Sequence, residues 1–546
     1  MTCERDAVGS VSLSKNNNVE WWRGAAIYQI YPRSFADSNC DGLGDIAGIT
    51  EKLDYVAELG VDGIWISPFF TSPMRDFGYD VADYKDVDPI FGSLADFDAL
   101  IARAHALELK VIIDQVYSHS SSDHAWFRES RADRTNSKAD WYVWADARAD
   151  GSPPNNWQSI FMGPAWTWDA RRQQYYLHNF LTSQPDLNLH NPEVQDACLK
   201  VAEFWLDRGV DGFRLDAINY GMHHPSLSDN PVASPEHWDG RRPVNMQQAQ
   251  YNSNQEGMID FLERLRSLLD RYEDRFTVAE VGGFDANRVM KSYTQGDARL
   301  NTAYSFHFLN LPEFDAEAFG EALEHWSNDP MGGWPSWAFS NHDVPRVASR
   351  WGQQLSHRHR CELAALVLIS LRGNIFIYQG EELGLTQAKI DFEHLQDPEA
   401  ISNWPHTLGR DGARVPMPWN ANQPNNGFSD CSPWLPMPGE YQVLSVAEQQ
   451  HEQSVLSSLK HLIEVRQHNE LLRHGNLSEL STKNGVLRFH RTLNEQCVEV
   501  CFNFSAETLP LSTGRNSRLL AGVDSEGLMS AMPTELGPFS GVIAAR

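Results

Sequence analysis

The sequence predicts an α/β protein built on a (β/α)8 TIM barrel, with an inserted subdomain after the third strand and an antiparallel β domain at the C-terminus. Three observations lead to this fold class: helical and strand patterns alternate, there are eight candidate strands, and 546 residues suit one large barrel with additions. An open doubly wound sheet has the same local pattern and is the alternative.

The candidate strands are short apolar runs, several of which follow an amphipathic stretch. Buried parallel strands have this composition because both of their faces are covered. The runs occupy residues 25–32, 61–67, 110–116, 210–216, 275–281, 301–308, 336–341 and 374–380. Helix signals lie between them: Ser93 and Asp96 have the spacing of a capping box, and Asn191 with Pro192 suits a helix start.

Two regions depart from this alternation. The stretch between residues 116 and 191 is rich in Trp, Pro, Asn and Ser and is too long for an ordinary loop, whereas the chain after residue 484 alternates with strand period. We therefore expect a polar N-terminal tail over 1–20, a catalytic barrel over 21–116 and 187–470, an inserted subdomain B over 117–186, and a C-terminal β-sandwich domain over 471–546.

Composition excludes several classes of partner. Asp and Glu outnumber Lys and Arg by 73 to 45, and the resulting net charge of −28 repels nucleic acid and anionic lipid. The longest apolar stretch, around 363–371, is too short to span a bilayer. We expect no nucleic-acid partner and no membrane partner. The seven cysteines form no CxxC pair and no disulfide framework, so we expect mostly reduced thiols and a cytoplasmic location.

Three carboxylates follow the ends of three different candidate strands: Asp216, Glu280 and Asp343. The carboxyl ends of barrel strands meet at one mouth, so these groups should converge. Like charges held close together raise the pKa of one carboxyl group, which can then act as an acid. A carboxylate nucleophile beside a carboxylic acid is what glycoside hydrolysis requires. A single acidic residue at a strand end is more often a helix cap or a solvated charge, so the prediction rests on the group of three.

Several ordered motifs resemble glycoside hydrolase family 13, the α-amylase family. GVDGFRLD, VAEV, SNHD and DQVYSH are similar to its four signature regions, and QPDLN is similar to a fifth region as it occurs in the oligo-1,6-glucosidase subfamily. They occupy residues 209–216, 278–281, 340–343, 114–119 and 184–188, and the similarity runs from Trp21 nearly to the C-terminus. The resemblance implies a barrel enzyme with a retaining mechanism.

The resemblance also implies a role for each matching residue. Asp216 corresponds to the nucleophile, Glu280 to the acid/base, and Asp343 to a third carboxylate that holds sugar hydroxyls. A pocket that clamps the non-reducing glucose would be formed by Asp80, His119, Arg214, His342 and Arg414. We expect Arg214 to keep Asp216 ionised, and the carboxyl groups of Asp216 and Glu280 to lie about 5 to 5.5 Å apart.

Oxygen ligands recur at alternate positions after the first strand, with Gly42 at the sixth position, as at the start of a calcium loop. The twelfth position is Gly48, so the bidentate Glu of an EF-hand is missing. The resemblance implies a structural divalent cation, Ca2+, held by Asp37, Asn39, Asp41, the carbonyl of Leu43 and Asp45. A loop of Asx turns without a metal is the alternative. No organic cofactor is expected.

Substrate preference depends on one position. Subfamily members tend to carry Val after the nucleophile when they cleave α-1,6 links and Ala or Thr when they prefer α-1,4 links, and here the residue is Ala217. The resemblance therefore implies an exo-acting α-glucosidase on maltose-like α-glucosides, with transfer of glucose to alcohol or sugar acceptors. Oligo-1,6-glucosidase, a sucrose-acting glucosyltransferase and a non-catalytic barrel are the alternatives. Gly282 and Gly283 predict a mobile loop after Glu280.

Overall fold

Eight parallel strands close into a ring at the centre of the molecule. The computed structural model describes residues 20–546 apart from 236–237, 239–241, 328–332, 408 and 512–516, so the predicted tail over 1–20 lies outside the described residues except at Glu20. With elements numbered along the chain, the barrel strands are β1 (Ala26–Ile30), β2 (Gly63–Ile66), β5 (Lys110–Gln115), β9 (Gly212–Leu215), β10 (Phe276–Val281), β11 (Thr302–Ser305), β12 (Trp334–Ala338) and β13 (Asn374–Tyr378). Their order, β1-β13-β12-β11-β10-β9-β5-β2, confirms the predicted barrel and excludes an open sheet.

Helices alternate with these strands and cover the barrel. They are α1 (Ile46–Glu51), α2 (Leu53–Glu58), α3 (Leu94–Ala106), α4 (Ala125–Ser130), α5 (Pro192–Asp207), α6 (Met258–Leu269), α7 (Ala286–Thr294), α8 (His307–Asn310), α9 (Ala316–His325), α10 (Val347–Arg350), α11 (His357–Ser370), α12 (Pro398–Asn403), α13 (Val455–Gln467) and α14 (Glu470–His474). Within the described part of the chain, none of them combines the length and apolar character that crossing a bilayer would require.

The sequence signals for helix starts are confirmed. Ser93 and Asp96 form a reciprocal capping box at the start of α3, and the Asn191 side chain accepts a hydrogen bond from the backbone of Glu193 at the start of α5. The seventh barrel strand begins earlier than predicted, at Trp334, because that residue pairs with Thr302 of β11. Residues 339–341 therefore belong to the loop at the mouth of the barrel.

The alternation of side chains along each strand separates two apolar cores. Phe213 and Leu215 of β9 pack into the large core between the strands and the helices. Arg214, which lies between them in sequence, is fully buried and points to the barrel interior, as the period of two predicts. A second, smaller core containing Ile112 and Phe376 fills the barrel interior. The interior core supports the charged groups at the mouth.

Smaller sheets surround the barrel. They are β3 (Phe70–Thr71) with β4 (Asp83–Val87); β6 (Trp144–Ala145), β7 (Trp166–Asp169) and β8 (Gln174–Leu177) between β5 and β9; and, after α14, β14 (Asn476–Lys483), β15 (Val486–Leu493), β16 (Gln496–Asn503), β17 (Leu509–Pro510), β18 (Arg518–Asp524), β19 (Gly527–Leu528), β20 (Glu535–Leu536) and β21 (Ser540–Ala545). The last group forms a six-stranded and a two-stranded antiparallel sheet. The exact domain boundaries given above stay predictions.

A disulfide joins Cys40 to Cys431, with their Cα atoms 5.4 Å apart. The expectation of mostly reduced thiols does not hold for this pair. The two cysteines are 391 residues apart in sequence, so their spacing carries no signal, and only the fold brings them together. The thiols of Cys198, Cys361, Cys497 and Cys501 are free. The cytoplasmic location, which was inferred from reduced cysteines, stays a prediction.

Candidate active site

Three predicted carboxylates converge at the carboxyl ends of the barrel strands. Asp216 directly follows β9, Glu280 is the penultimate residue of β10, and Asp343 lies in the loop after β12. A fourth, Asp114 of β5, lies beside them and contacts the same arginine as Asp216. The mouth of the barrel therefore concentrates negative charge in a poorly solvated place.

Arg214 is the cation shared by this group. Its Nη1 atom lies 2.7 Å from Oδ1 of Asp114 and 2.5 Å from Oδ1 of Asp216, and its Nη2 atom lies 2.5 Å from Oε1 of Glu280. The guanidinium also packs 5.0 Å from the ring centre of Trp65. One arginine thus bridges the two groups that would carry out the chemistry.

Glu280 has two further donors. The hydroxyl of Tyr304 donates to Oε1 at 3.1 Å, and the backbone N–H of Ala217 donates to Oε2 at 3.1 Å. Tyr304 lies opposite Glu280 in the parallel register of β10 and β11. The available sequence signal for Tyr304 was the alternation of side chains along β11.

Burial raises the pKa of both Asp216 and Glu280 to about 7. Arg214 opposes this effect, but the neighbouring carboxylates, including Asp343, add to it. Arg214 lowers the pKa of Asp216, which is the predicted direction, but burial and the neighbouring carboxylates outweigh it because one guanidinium is divided among three carboxylates. Burial also raises the pKa of Asp114 to about 6. A cluster of carboxyl groups with raised pKa values can provide a carboxylate beside a carboxylic acid near neutral pH.

Asp343 has the opposite electrostatic environment. Burial raises its pKa, but His342 and three arginines, Arg414, Arg410 and Arg214, outweigh this and lower it to about 2. Nη2 of Arg414 lies 2.8 Å from its Oδ1 atom, and Nη1 of Arg410 lies 3.7 Å from the same oxygen. Asp343 therefore stays ionised across the physiological range.

His342 is held as a neutral ring. Burial lowers its pKa to about 3, and the ring is stacked between Tyr31 and Tyr79. The side-chain amide of Gln29 donates to Nδ1 at 2.8 Å, so the proton of the neutral ring lies on Nε2. From there it faces the hydroxyl of Tyr79 at 2.6 Å and Oδ2 of Asp343 at 3.2 Å. The contact with Oδ2 orients the carboxylate of Asp343, and the predicted place of His342 in a glucose pocket stays a prediction.

The structure does not bring Asp80 into the sugar pocket as predicted. Its carboxylate accepts hydrogen bonds from the hydroxyl of Ser72 and from the backbone N–H groups of Arg75 and Asp76. Burial raises its pKa to about 6. These contacts hold the Asp80 carboxylate within the local segment from Ser72 to Asp80.

Asp76, four residues earlier, has the position that was predicted for Asp80. Its Oδ1 atom lies 2.8 Å from Nη2 of Arg410, and Oδ2 accepts from the side-chain amide of Gln184 at 2.9 Å. Asp76 lies two residues before the GYDVADY motif that contains Asp80, so that motif carried no signal for it. The ion pair with Arg410 places Asp76 beside the groups at the mouth. The available sequence signal for Arg410 was the motif GRDGAR, which contains it together with Arg414.

His119 lies beside this second group. Its Nε2 atom is 3.2 Å from the amide of Gln184 and 3.2 Å from the carbonyl of Tyr79, and its ring packs on Phe180. Burial lowers its pKa to about 3, so the ring is neutral. His119, Gln184, Asp76, Arg410 and Asp343 form a continuous polar wall on one side of the mouth.

The predicted cation loop is folded as a series of Asx turns. Asp37 accepts from the backbone N–H groups of Asn39, Cys40 and Gly42, and the carboxylates of Asp41 and Asp45 accept from Leu43 and Ser38. Asp45 also caps α1. Within the described residues, no three side chains of His, Cys, Asp or Glu come together as a metal group, so a cation here would need Asn39 and backbone oxygens as well.

Two carboxyl groups with raised pKa values are bridged by one arginine and face a third carboxylate held by two more arginines, which are the groups that glycoside hydrolysis requires. The profile of the α-amylase catalytic domain matches residues 29–475. The chain belongs to the α-amylase family.

Two curated relatives and one solved structure extend the match over most of the chain. A probable α-glucosidase of Rhizobium meliloti is 50% identical over 498 residues, covering 89% of this chain and 90% of the relative. An oligo-1,6-glucosidase of Heyndrickxia coagulans is 36% identical, covering 92% and 96%. The crystal structure of an α-glucosyl transfer enzyme, XgtA, superposes with a TM-score of 0.91 at 47% identity, covering 97% of this chain and 100% of that one.

Proposed function

We propose that the protein is a retaining, exo-acting α-glucosidase that releases glucose from the non-reducing end of short α-1,4-linked glucosides. The observation that carries this proposal is the bridge from Arg214 to both Asp216 and Glu280. Two carboxyl groups bound to one guanidinium lie close together, which suits the separation of about 5 to 5.5 Å in retaining enzymes. The 50% identical α-glucosidase relative supports the substrate class.

The proposed reaction has two steps. Asp216 attacks the anomeric carbon and forms a glucosyl ester, while Glu280 gives its proton to the glycosidic oxygen as that bond breaks. Glu280 then removes a proton from water, which attacks the same carbon, releases glucose and restores Asp216. Arg214 stays beside both groups, and Asp343 with Asp76 and Arg410 would hold the sugar hydroxyls.

Linkage preference rests on Ala217, whose backbone has φ 38° and ψ 37°. A β-branched side chain is disfavoured in this left-handed region, and it would also add volume beside the nucleophile. We therefore favour α-1,4 over α-1,6 links. The test is to compare kcat/KM for glucose release from maltose and from isomaltose. Preference for isomaltose would overturn the linkage assignment, and release from neither would overturn the hydrolase proposal.

Glucosyl transfer is the second candidate function, and the 47% identical α-glucosyl transfer enzyme favours it. A glucosyl ester on Asp216 can be captured by an alcohol or a sugar in place of water. The ratio of transfer product to free glucose, measured with maltose and increasing glycerol, tests this. A ratio that stays at zero would leave hydrolysis alone.

We also propose that Asp37, Asn39, Asp41, the carbonyl of Leu43 and Asp45 bind a structural Ca2+. The spacing of oxygen ligands supports this, and the Cys40–Cys431 disulfide anchors the loop. Calcium would raise the thermal midpoint of the wild type but not of Asp41→Ala. Equal midpoints with calcium and with a chelator would contradict the site.

A further inference from the structure

One buried side-chain amide joins the turn after Asp216 to the loop after Glu280. Asn219, which is 1% exposed, lies in the turn directly after the nucleophile. Its Nδ2 atom donates to the carbonyl of Gly282 at 3.0 Å, and the N–H of Gly282 donates back to its Oδ1 atom at 3.4 Å. Both polar groups of one residue, two positions after Glu280, are therefore held by one side chain.

Asn254 extends this contact to the rest of the loop. Its Oδ1 atom accepts from Nδ2 of Asn219 at 2.9 Å, and its backbone N–H donates to the carbonyl of Asn219 at 2.8 Å. Its own side-chain amide donates to the carbonyl of Phe284 at 2.8 Å. The pair of asparagines thus holds the loop at Gly282 and again at Phe284. These hydrogen bonds tether the loop after Glu280 at two points, and its mobility stays a prediction.

The turn held by Asn219 also carries a direct donor to Glu280. The N–H of Ala217, two residues earlier, donates to Oε2 of Glu280. Ala217 donates this hydrogen bond from a left-handed backbone conformation, with φ 38° and ψ 37°. Asn219 therefore acts on both sides of Glu280: on the turn that contacts its carboxyl group and on the backbone that follows it.

We propose that Asn219 is a positioning residue that places Glu280 for proton transfer to the leaving group. The inference rests on the proposed function, since it needs Glu280 to be the acid. A general acid must lie within hydrogen-bond distance of the oxygen that it protonates, and a shift of about 1 Å costs on the order of 100-fold in rate. Neither Asn219 nor Asn254 contacts the carboxylates through its side chain.

The experiment compares two substrates that need the acid to different degrees. The glucose leaving group of maltose requires a proton, whereas fluoride leaves α-glucosyl fluoride with little help. Asn219→Ala should lower kcat/KM for maltose by about 100-fold and for the fluoride by less than about 5-fold, because only proton donation is impaired. This constant reports the steps up to the glucosyl ester, so later hydrolysis does not obscure the comparison.

Two reference variants separate the possible causes. Glu280→Gln should give the same selective loss, of about 100-fold to 10,000-fold for maltose. Asn301→Ala is the matched control, because the Asn301 side chain holds the backbone of Thr277 at the other end of β10. It should affect both substrates equally, although it removes a buried contact to the same strand.

Equal losses with both substrates in Asn219→Ala would overturn the positioning role. If that variant does not fold, Asn254→Ala decides the question, since it removes the contact to Phe284 and one hydrogen bond of Asn219 while the Asn219 side chain itself is kept. A selective loss for maltose supports the proposal, and an unselective one overturns it. Absence of the selective loss in Glu280→Gln would instead contradict the assignment of the acid, and with it the proposed function.

Discussion

The two sides of the barrel mouth contain the same kind of group in opposite states. On one side, Asp114, Asp216 and Glu280 divide the charge of Arg214, and burial raises the pKa of Asp216 and of Glu280 to about 7. On the other side, burial also raises the pKa of Asp343, but His342, Arg414 and Arg410 lower it to about 2. Asp343 is also more exposed, with 23% of its side chain accessible against 10% for Asp216 and 7% for Glu280.

The difference shows that the ratio of cations to carboxylates, together with exposure, decides which acidic group keeps its proton. A site that needs one proton donor and one permanent negative charge obtains both from aspartate and glutamate alone.

Removal of the nucleophile should have the largest effect. Asp216→Asn keeps the side-chain volume but cannot form the glucosyl ester, so kcat for maltose should fall by about 10,000-fold or more. Glucose release and a thermal melt of the same sample are the measurements. Substantial activity in a folded variant would show that the nucleophile is misassigned.

Arg414→Gln should weaken the electrostatic stabilisation of the Asp343 carboxylate. Loss of the ion pair at 2.8 Å raises the pKa of Asp343 and removes a charge that orients it, so kcat/KM for maltose should fall by about 100-fold to 1,000-fold. The acidic limb of the pH profile should move to higher pH. Arg410→Gln, whose nitrogen lies 3.7 Å from Asp343, should shift that limb less. An unchanged limb in both variants would contradict the role of the arginines.

The raised pKa of Glu280 predicts that kcat/KM falls at alkaline pH. Activity should fall as the pH rises above about 7, because Glu280 then loses the proton that it would donate. Asp343 should not contribute above about pH 3, because its pKa is lowered to about 2. A flat profile from pH 6 to pH 9 would contradict the role of Glu280 as the proton donor.

The same raised pKa values affect stability. Between about pH 4 and pH 7 the folded protein binds more protons at Asp216 and Glu280 than the unfolded chain does, so the free energy of unfolding should fall as the pH rises through this window. The double variant Asp216→Asn with Glu280→Gln should show a flatter dependence of the denaturant midpoint on pH. A steeper dependence would show that other groups control it.

The smallest effect should come from Ala217→Val, which leaves the charges unchanged. The ratio of kcat/KM for isomaltose to that for maltose should rise by about 10-fold, because one pocket contact of this size discriminates by about that amount. The alkaline limb should stay in place if the backbone N–H still reaches Glu280. A shifted limb would show that the turn itself has moved.

The fold could be predicted because its signals are local. Apolar runs, capping pairs such as Ser93 with Asp96, and helix starts such as Asn191 repeat along the chain, and the closed barrel matches them. The convergence of Asp216, Glu280 and Asp343 follows from their positions at strand ends. The exchange of Asp80 for Asp76 could not be predicted in this way, because Asp76 lies outside the motif that contains Asp80 and only its contact with Arg410 identifies it.

The sequence by itself determined the barrel, the family and the three carboxylates, since each depends on residue type and on position along a strand or helix. The tertiary structure alone decided the protonation of those carboxylates, the pairing of Cys40 with Cys431 and the tether from Asn219 to Gly282. The physical reason is distance. A pKa depends on charges within a few ångströms, and here those charges come from residues as far apart in sequence as Asp114 and Arg414.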